Sequence, residues 1–311
     1  MAKLTKEDIV AFADKYLKED NYAVVYKKQG KDPNEKKMTK PEITPIVSNR
    51  DVASPFLTSI QENAVKPIEP VFLDFKKDMS QLTAKSDIPV LYKQNTTNDL
   101  FQLIYVFDMG NNNDKALGTA FDYLEYLGTS DMTPEELKSE FYRLACTFYV
   151  SPGNERTYVV LSGLNENMPA AVQLFEKLLA DAQVNKEAYT NMTSDILKAR
   201  SDAKLNQGQN FSRLMSFAMY GPKSPATNLL TEAELTNMNP QELVDRIHNQ
   251  NSYKHRILYY GPSSSKDLLA TINQYHQVPA TLKDIPAGNE YAYLETPVTK
   301  VLVAPYDAKQ I

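Results

Sequence analysis

Leu100-Phe101-Gln102-Leu103-Ile104-Tyr105-Val106-Phe107, broken at Gly110-Asn111-Asn112-Asn113 and followed by Asp114-Lys115-Ala116-Leu117-Gly118-Thr119-Ala120-Phe121-Asp122-Tyr123-Leu124-Glu125-Tyr126-Leu127, is where the chain turns from strand to helix. The first run is rich in β-branched and aromatic residues and ends in turn formers, as a strand does. In the second, Ala116, Leu117, Ala120, Phe121, Leu124 and Leu127 share one stripe at the helical period. Upstream, Val71-Phe72-Leu73 and Ile88-Pro89-Val90-Leu91-Tyr92 are strand-like. Downstream, Thr133-Pro134-Glu135-Glu136 is a capping box with proline in the first turn. Strands are predicted at about 146–150 and 156–163, helices near 168–182, 186–204, 209–220 and 240–250, and a strand at 254–260. Strands, two helices, strands, several helices and a last strand make an α+β layer with a mixed or antiparallel sheet and helices on one face, not an alternating βαβ sheet.

The chain has 311 residues, 42% of them apolar, enough for a full core and about two domains. A net charge of -5 gives no basic field for nucleic acid, and no apolar run approaches the roughly 20 residues needed to span a bilayer. The start, Met-Ala-Lys-Leu-Thr-Lys-Glu-Asp, lacks the apolar centre of a signal peptide, and the compartment stays open. Cys146 is the single cysteine, so neither an internal disulfide nor a cysteine zinc cluster can form.

One unit occurs twice. Thr5-Lys6-Glu7-Asp8-Ile9-Val10, leading to Tyr22-Ala23-Val24-Val25-Tyr26, returns as Asn239-Pro240-Gln241-Glu242-Leu243-Val244, leading to Arg256-Ile257-Leu258-Tyr259-Tyr260. A capped helix followed by a strand is also a common motif that can recur by coincidence. As a repeat, it makes residues 1–29 the tail of a preceding domain. Residues 30–68, with Pro33, Pro41, Pro45, Pro55 and Pro67, read as an extended linker. Residues 69–262 form a complete α+β domain, and 263–311 a connector, with a helix around Lys266–Tyr275, and the start of a following domain. The last strand, Val301–Tyr306, has no partner after it, so the chain reads as cut at both ends.

Catalytic patterns are thin. His248, His255 and His276 show no i, i+4 pairing. Ser263-Ser264-Ser265 reads as a loop before a helix rather than a nucleophile, and Cys146 as a strand residue. With ten glycines and no Gly-x-Ser-x-Gly, phosphate-loop or dinucleotide pattern, other common chemistries lack a signature.

The order of elements, the linker, and the phrases Pro67-Ile68-Glu69-Pro70-Val71-Phe72-Leu73-Asp74-Phe75 and Val303-Ala304-Pro305-Tyr306-Asp307-Ala308-Lys309-Gln310 resemble the insulinase/pitrilysin family of zinc peptidases, more closely its long bacterial members of four similar domains. The resemblance implies a mitochondrial-processing-peptidase-like metallohydrolase domain: 4–29 matches the end of a second domain, 69–262 the third and 290–311 the start of the fourth. The family signature, His-x-x-Glu-His on a helix, sets two imidazoles one turn apart with a water-activating glutamate between them. Its counterpart here is Asp122-Tyr123-Leu124-Glu125-Tyr126: Glu125 matches the base, while Asp122 and Tyr126 stand where the histidines would. The later glutamate ligand falls near Asp195. A phenol is a poor zinc ligand beside imidazole, so no metal is expected at these positions. Asp122, Glu125 and Tyr126 fall opposite the 117/121/124 stripe, which fits either a degenerate cleft-facing site or a solvated polar face.

The resemblance implies a non-catalytic portion of a zinc metalloendopeptidase, forming part of the wall of a chamber around a polypeptide substrate, with zinc held in the missing amino-terminal half. Cys146, Thr147, Phe148, Tyr149 and Val150 lie where active domains offer an edge for β-addition by a peptide; an interior sheet strand fits the same residues. The competing reading is a stand-alone scaffold or binding protein related to inactive processing-peptidase subunits. A complete enzyme with an unrecognised site is the third.

Overall fold

The computed structural model describes residues 4–18, 20, 22–27, 30, 39–44 and 52–304. By internal contacts the chain divides into two units, Met1–Pro70 and Val71–Ile311. Sequence readings on 31–37, Pro45 and 305–311 lie outside the described residues.

In the first unit, α1 (Lys6–Tyr16) starts on a full capping box: the Thr5 hydroxyl accepts from the Asp8 amide and the Asp8 carboxylate accepts from the Thr5 amide. No α1 residue is buried. The predicted strand 22–26 does not form, and Val24, Val25 and Tyr26 are exposed. Apolar, β-prone residues make a strand only when a neighbouring strand takes up their amides. Within the stretch read as extended linker, α2 (Pro55–Gln61) forms, because the Ser54 hydroxyl caps it and Pro55 at its first position presets φ.

The second unit opens with α3 (Phe75–Asp78). Residues 71–73 are exposed and unpaired, not a strand. The first strand is instead β1 (Ser80–Ala84), whose mild sequence gave little signal. There follow β2 (Ile88–Gln94), β3 (Leu100–Phe107), α4 (Leu117–Leu124), α5 (Pro134–Arg143), β4 (Cys146–Pro152), β5 (Thr157–Leu164), α6 (Met168–Asp181), α7 (Lys186–Ala203), α8 (Gln207–Tyr220), α9 (Glu232–Asn237), α10 (Gln241–Asn249), β6 (Arg256–Gly261) and α11 (Ser265–Tyr275). Beyond it, 301–304 form no strand.

The strands form one six-stranded sheet in the order β1-β2-β6-β3-β5-β4. Only β2 and β6 run parallel, so the sheet is mixed and the fold α+β. Alternation decides which side is buried. One row crosses the sheet through Tyr92, Tyr259, Leu103, Leu161 and Phe148 in register, and each points into the helix layer. Tyr92 stacks on Tyr259 at 5.7 Å, and Phe148 meets Phe141 of α5 and Phe175 of α6 at 4.9 and 4.8 Å. The next row, Leu91, Leu258, Ile104, Val160 and Tyr149, lies on the other face.

Candidate functional site

β4 is an end strand of the sheet: β5 covers one side, and among the described residues no strand pairs with the other. The strand left open between edge and interior by its sequence is therefore an edge. Cys146, Phe148 and Val150 turn toward the helices, and Thr147, Tyr149 and Ser151 are exposed.

The entry to β4 is tightly specified. Leu144 is the C-cap of α5, and Ala145 after it takes a left-handed conformation, φ 49°. Opposite it, Gly163 has φ 152°, and a Cβ there would meet the Ala145 oxygen at 2.4 Å and the Cys146 Cα at 2.6 Å. The Asn167 side chain donates to the Leu144 carbonyl at 2.9 Å, satisfying the helix end. A second glycine fixes the turn after α4: a Cβ on Gly128 would lie 2.3 Å from the Met132 oxygen.

Between β4 and the α4–α5 pair runs a groove of about 350 Å³. Phe121, Leu124, Leu137, Phe141, Phe148 and Val150 make its apolar lining, and Glu125 and Lys138 supply charge. The exposed Tyr142 and Tyr149 also line it. An extended chain beside β4 would thus meet main-chain donors and acceptors on one side and an apolar trough on the other.

Of the degenerate motif, Glu125 alone lines this groove. Asp122 is in α4, Glu125 is its C-cap, and Tyr126 follows the helix in a tighter turn, its amide donating to the Tyr123 carbonyl. All three are exposed, while Leu117, Ala120, Phe121, Tyr123 and Leu124 are buried. Although Asp122 as a residue is exposed, partial desolvation of its carboxyl, and then the like charge of Glu125, holds its pKa above the usual range. Asp195 is exposed on α7, whose start is tied to α4 by the Tyr123 hydroxyl, which donates to the Asn185 carbonyl at 2.6 Å and accepts from its amide at 2.9 Å. Ten residues separate Asn185 from Asp195, a rise of about 15 Å along the helix. The donor set does not fit zinc: carboxylate and phenol replace both imidazoles, and among the described residues no three His, Cys, Asp or Glu are grouped to hold a metal ion.

The other candidates have structural work. Burial raises the pKa of Cys146, whose Sγ lies 3.9 Å from the Leu164 oxygen. Ser264 caps α11, and the Ser263 hydroxyl bonds to Asn165 Oδ1. Spacing concealed one cluster: His255 and His276 meet Nε2 to Nε2 at 2.8 Å, and His276 reaches Glu176 at 2.7 Å. His248 bonds instead to the Ala182 carbonyl.

This mixed six-stranded sheet, backed by helices on one face, is the fold of the M16 peptidases, the insulinase/pitrilysin type. The chain is similar to the periplasmic protease PqqL from Escherichia coli, with TM-score 0.61 and 15% identity over 94% of this chain and 30% of that one. It is similar to a peptidase M16 inactive domain from Pseudomonas fluorescens, TM-score 0.58 and 16% identity over 68% of this chain and 54% of the other. The ferredoxin protease FusC, in complex with Arabidopsis ferredoxin, gives TM-score 0.61 and 12% identity over 94% and 30%. The chain thus spans about a third of the length of the two long proteases and about half of the inactive-domain chain. No protein-family model and no curated protein matches the sequence.

Proposed function

We propose that residues 69–262 are a non-catalytic wall module of a zinc metalloendopeptidase, holding an extended polypeptide along the outer edge of β4, with zinc bound elsewhere in the parent protein and none in this module. The carrying observation is the juxtaposition of an unpaired strand edge with an apolar groove of about 350 Å³. Edge pairing supplies affinity with little sequence preference, and the groove favours large apolar side chains at alternate positions. The fold supports a peptidase context, and a ferredoxin protease among the neighbours supports a polypeptide occupant. Asp122 and Tyr126 in place of imidazoles support a holding role without cleavage.

The test uses a fluorescein-labelled, unstructured peptide alternating Phe or Leu with polar residues, read by anisotropy and by mass spectrometry. Binding without cleavage is expected. N-methylation of one alternate set of its amides should weaken binding roughly tenfold or more, since each lost main-chain bond contributes about 1 kcal/mol. Tyr142→Ala should weaken it more modestly. Equal binding of the methylated and unmethylated peptides, or zinc-dependent cleavage by the purified chain, contradicts the proposal.

A further inference from the structure

Three hydrogen bonds run in a chain from the Tyr253 carbonyl to His255 Nδ1 (2.7 Å), from His255 Nε2 to His276 Nε2 (2.8 Å), and from His276 Nδ1 to Glu176 Oε1 (2.7 Å). Glu176 is 1% exposed, His276 0% and His255 7%, so bulk water does not serve the inner links. Each link needs one proton between its two heavy atoms. A carboxylate and two neutral imidazoles bring only two. The first link fixes the direction, because a carbonyl only accepts: His255 must carry its hydrogen on Nδ1, leaving Nε2 as acceptor. His276 must then donate from Nε2, and a carboxylate at Glu176 requires it to donate from Nδ1 as well.

We infer that Glu176, His276 and His255 hold one proton in common beyond those of a carboxylate and two neutral imidazoles, and that this proton locks the segment after α11 onto α6 and the start of β6. The other oxygen of Glu176 supports an ionised carboxylate facing an imidazolium at His276, since it accepts from Asn251 Nδ2 and from the Gln277 amide, both at 2.9 Å. His255 is the neutral partner: burial, and then the neighbouring His276, lower its pKa to about 4. Other titratable and charged groups nearby are accounted for. Tyr105 of β3 faces His276 at 4.4 Å between rings, and burial, then Glu176, raise its pKa, so it stays a neutral phenol. Arg256 is paired with Asp108, Lys254 with Asp284, and His248 of α10 with the Ala182 carbonyl. Phe107 adds an aromatic wall 4.6 Å from His255.

The locked segment begins with His276 and Gln277 and returns along residues 252–254, where Lys283 donates to the Ser252 carbonyl and Lys254 donates to the Lys283 carbonyl. The lock holds while the trio, acting as a unit, keeps that one proton. Release leaves two lone pairs facing across one link, and the segment loosens.

The experiment is a long-range proton–nitrogen NMR spectrum of the full chain at pH 7, with amide exchange followed from pH 7 to 10. Expected are an imidazolium at His276, an Nδ1-protonated neutral ring at His255, and loss of protection at Gln277 and Lys283 on the alkaline side. In Glu176→Gln the side-chain amide donates to His276 Nδ1, so three bonds are filled by neutral groups. The imidazolium signature should vanish and the alkaline loss of Tm should flatten relative to wild type. Two neutral rings in the wild type at pH 7, or an unchanged alkaline slope in a folded Glu176→Gln protein, overturns the inference; should that variant not fold, the wild-type spectrum alone decides it.

Discussion

At the scale of single residues, the contrast lies between the exposed carboxylates at the end of α4 and the ionisable trio buried between the sheet and its helices. Asp122 and Glu125 keep solvent contact, so the partial desolvation of the Asp122 carboxyl, and then the charge of Glu125, raise its pKa without threatening the fold. His255 has no such outlet. Its pKa is about 4 in the folded chain and about 6.5 when unfolded, so between those values the unfolded state binds the extra proton. The resulting stability is present above pH 6.5 and is lost as pH falls through 4, amounting to about 3 kcal/mol for His255 itself. The stability difference between wild type and His255→Gln, from urea midpoints at pH 7 and 4, should narrow by about that amount. A difference independent of pH would show that His255 titrates in the folded state as it does when unfolded. None of this was readable in the sequence, because His255 and His276 stand apart in the chain and their carboxylate arrives from a helix between β5 and α7.

Among elements, the corner from α5 into β4 aims the edge strand. Ala145 holds a conformation costing an L-residue about 1 kcal/mol, so Ala145→Gly should leave stability unchanged or raise it slightly, the gain being offset by glycine's greater unfolded freedom. Gly163→Ala should destabilise by about 2–4 kcal/mol, combining positive φ with a Cβ driven into the Ala145 carbonyl. Both are read from urea unfolding, and a neutral Gly163→Ala would mean that the corner yields. The elements legible in advance were those specified locally. The stripe through Leu117, Phe121 and Leu124, the Thr133/Glu136 capping box, and the runs of β3 and β5 announce themselves within one or two turns of chain. The edge position of β4 was not legible, because the same alternation serves an edge or an interior strand and only the sheet order separates them. Tyr22–Tyr26 and Val71–Leu73 erred the other way: strong β propensity without a neighbour to pair with.

Across the whole molecule, sheet order decides what can be removed. β6 stands between β2 and β3, and without it the sheet separates into a β1-β2 hairpin and a three-stranded β3-β5-β4 piece. A chain ending at residue 250 should therefore show no cooperative urea transition by near-ultraviolet circular dichroism, although every other strand is present. A sharp transition would assign β6 a minor part in the core.

The parallel pairing of β2 with β6 carries a burden during synthesis. Val90 waits for Ile257, so at the usual pace of translation a nascent chain spends on the order of ten seconds with the inner borders of β2 and β3 both uncovered. In that interval each border is a template for any extended segment nearby, including the same strands on a neighbouring ribosome. A chaperone that shields β-prone chain should therefore raise the soluble yield of this protein most when ribosomes are crowded on its message.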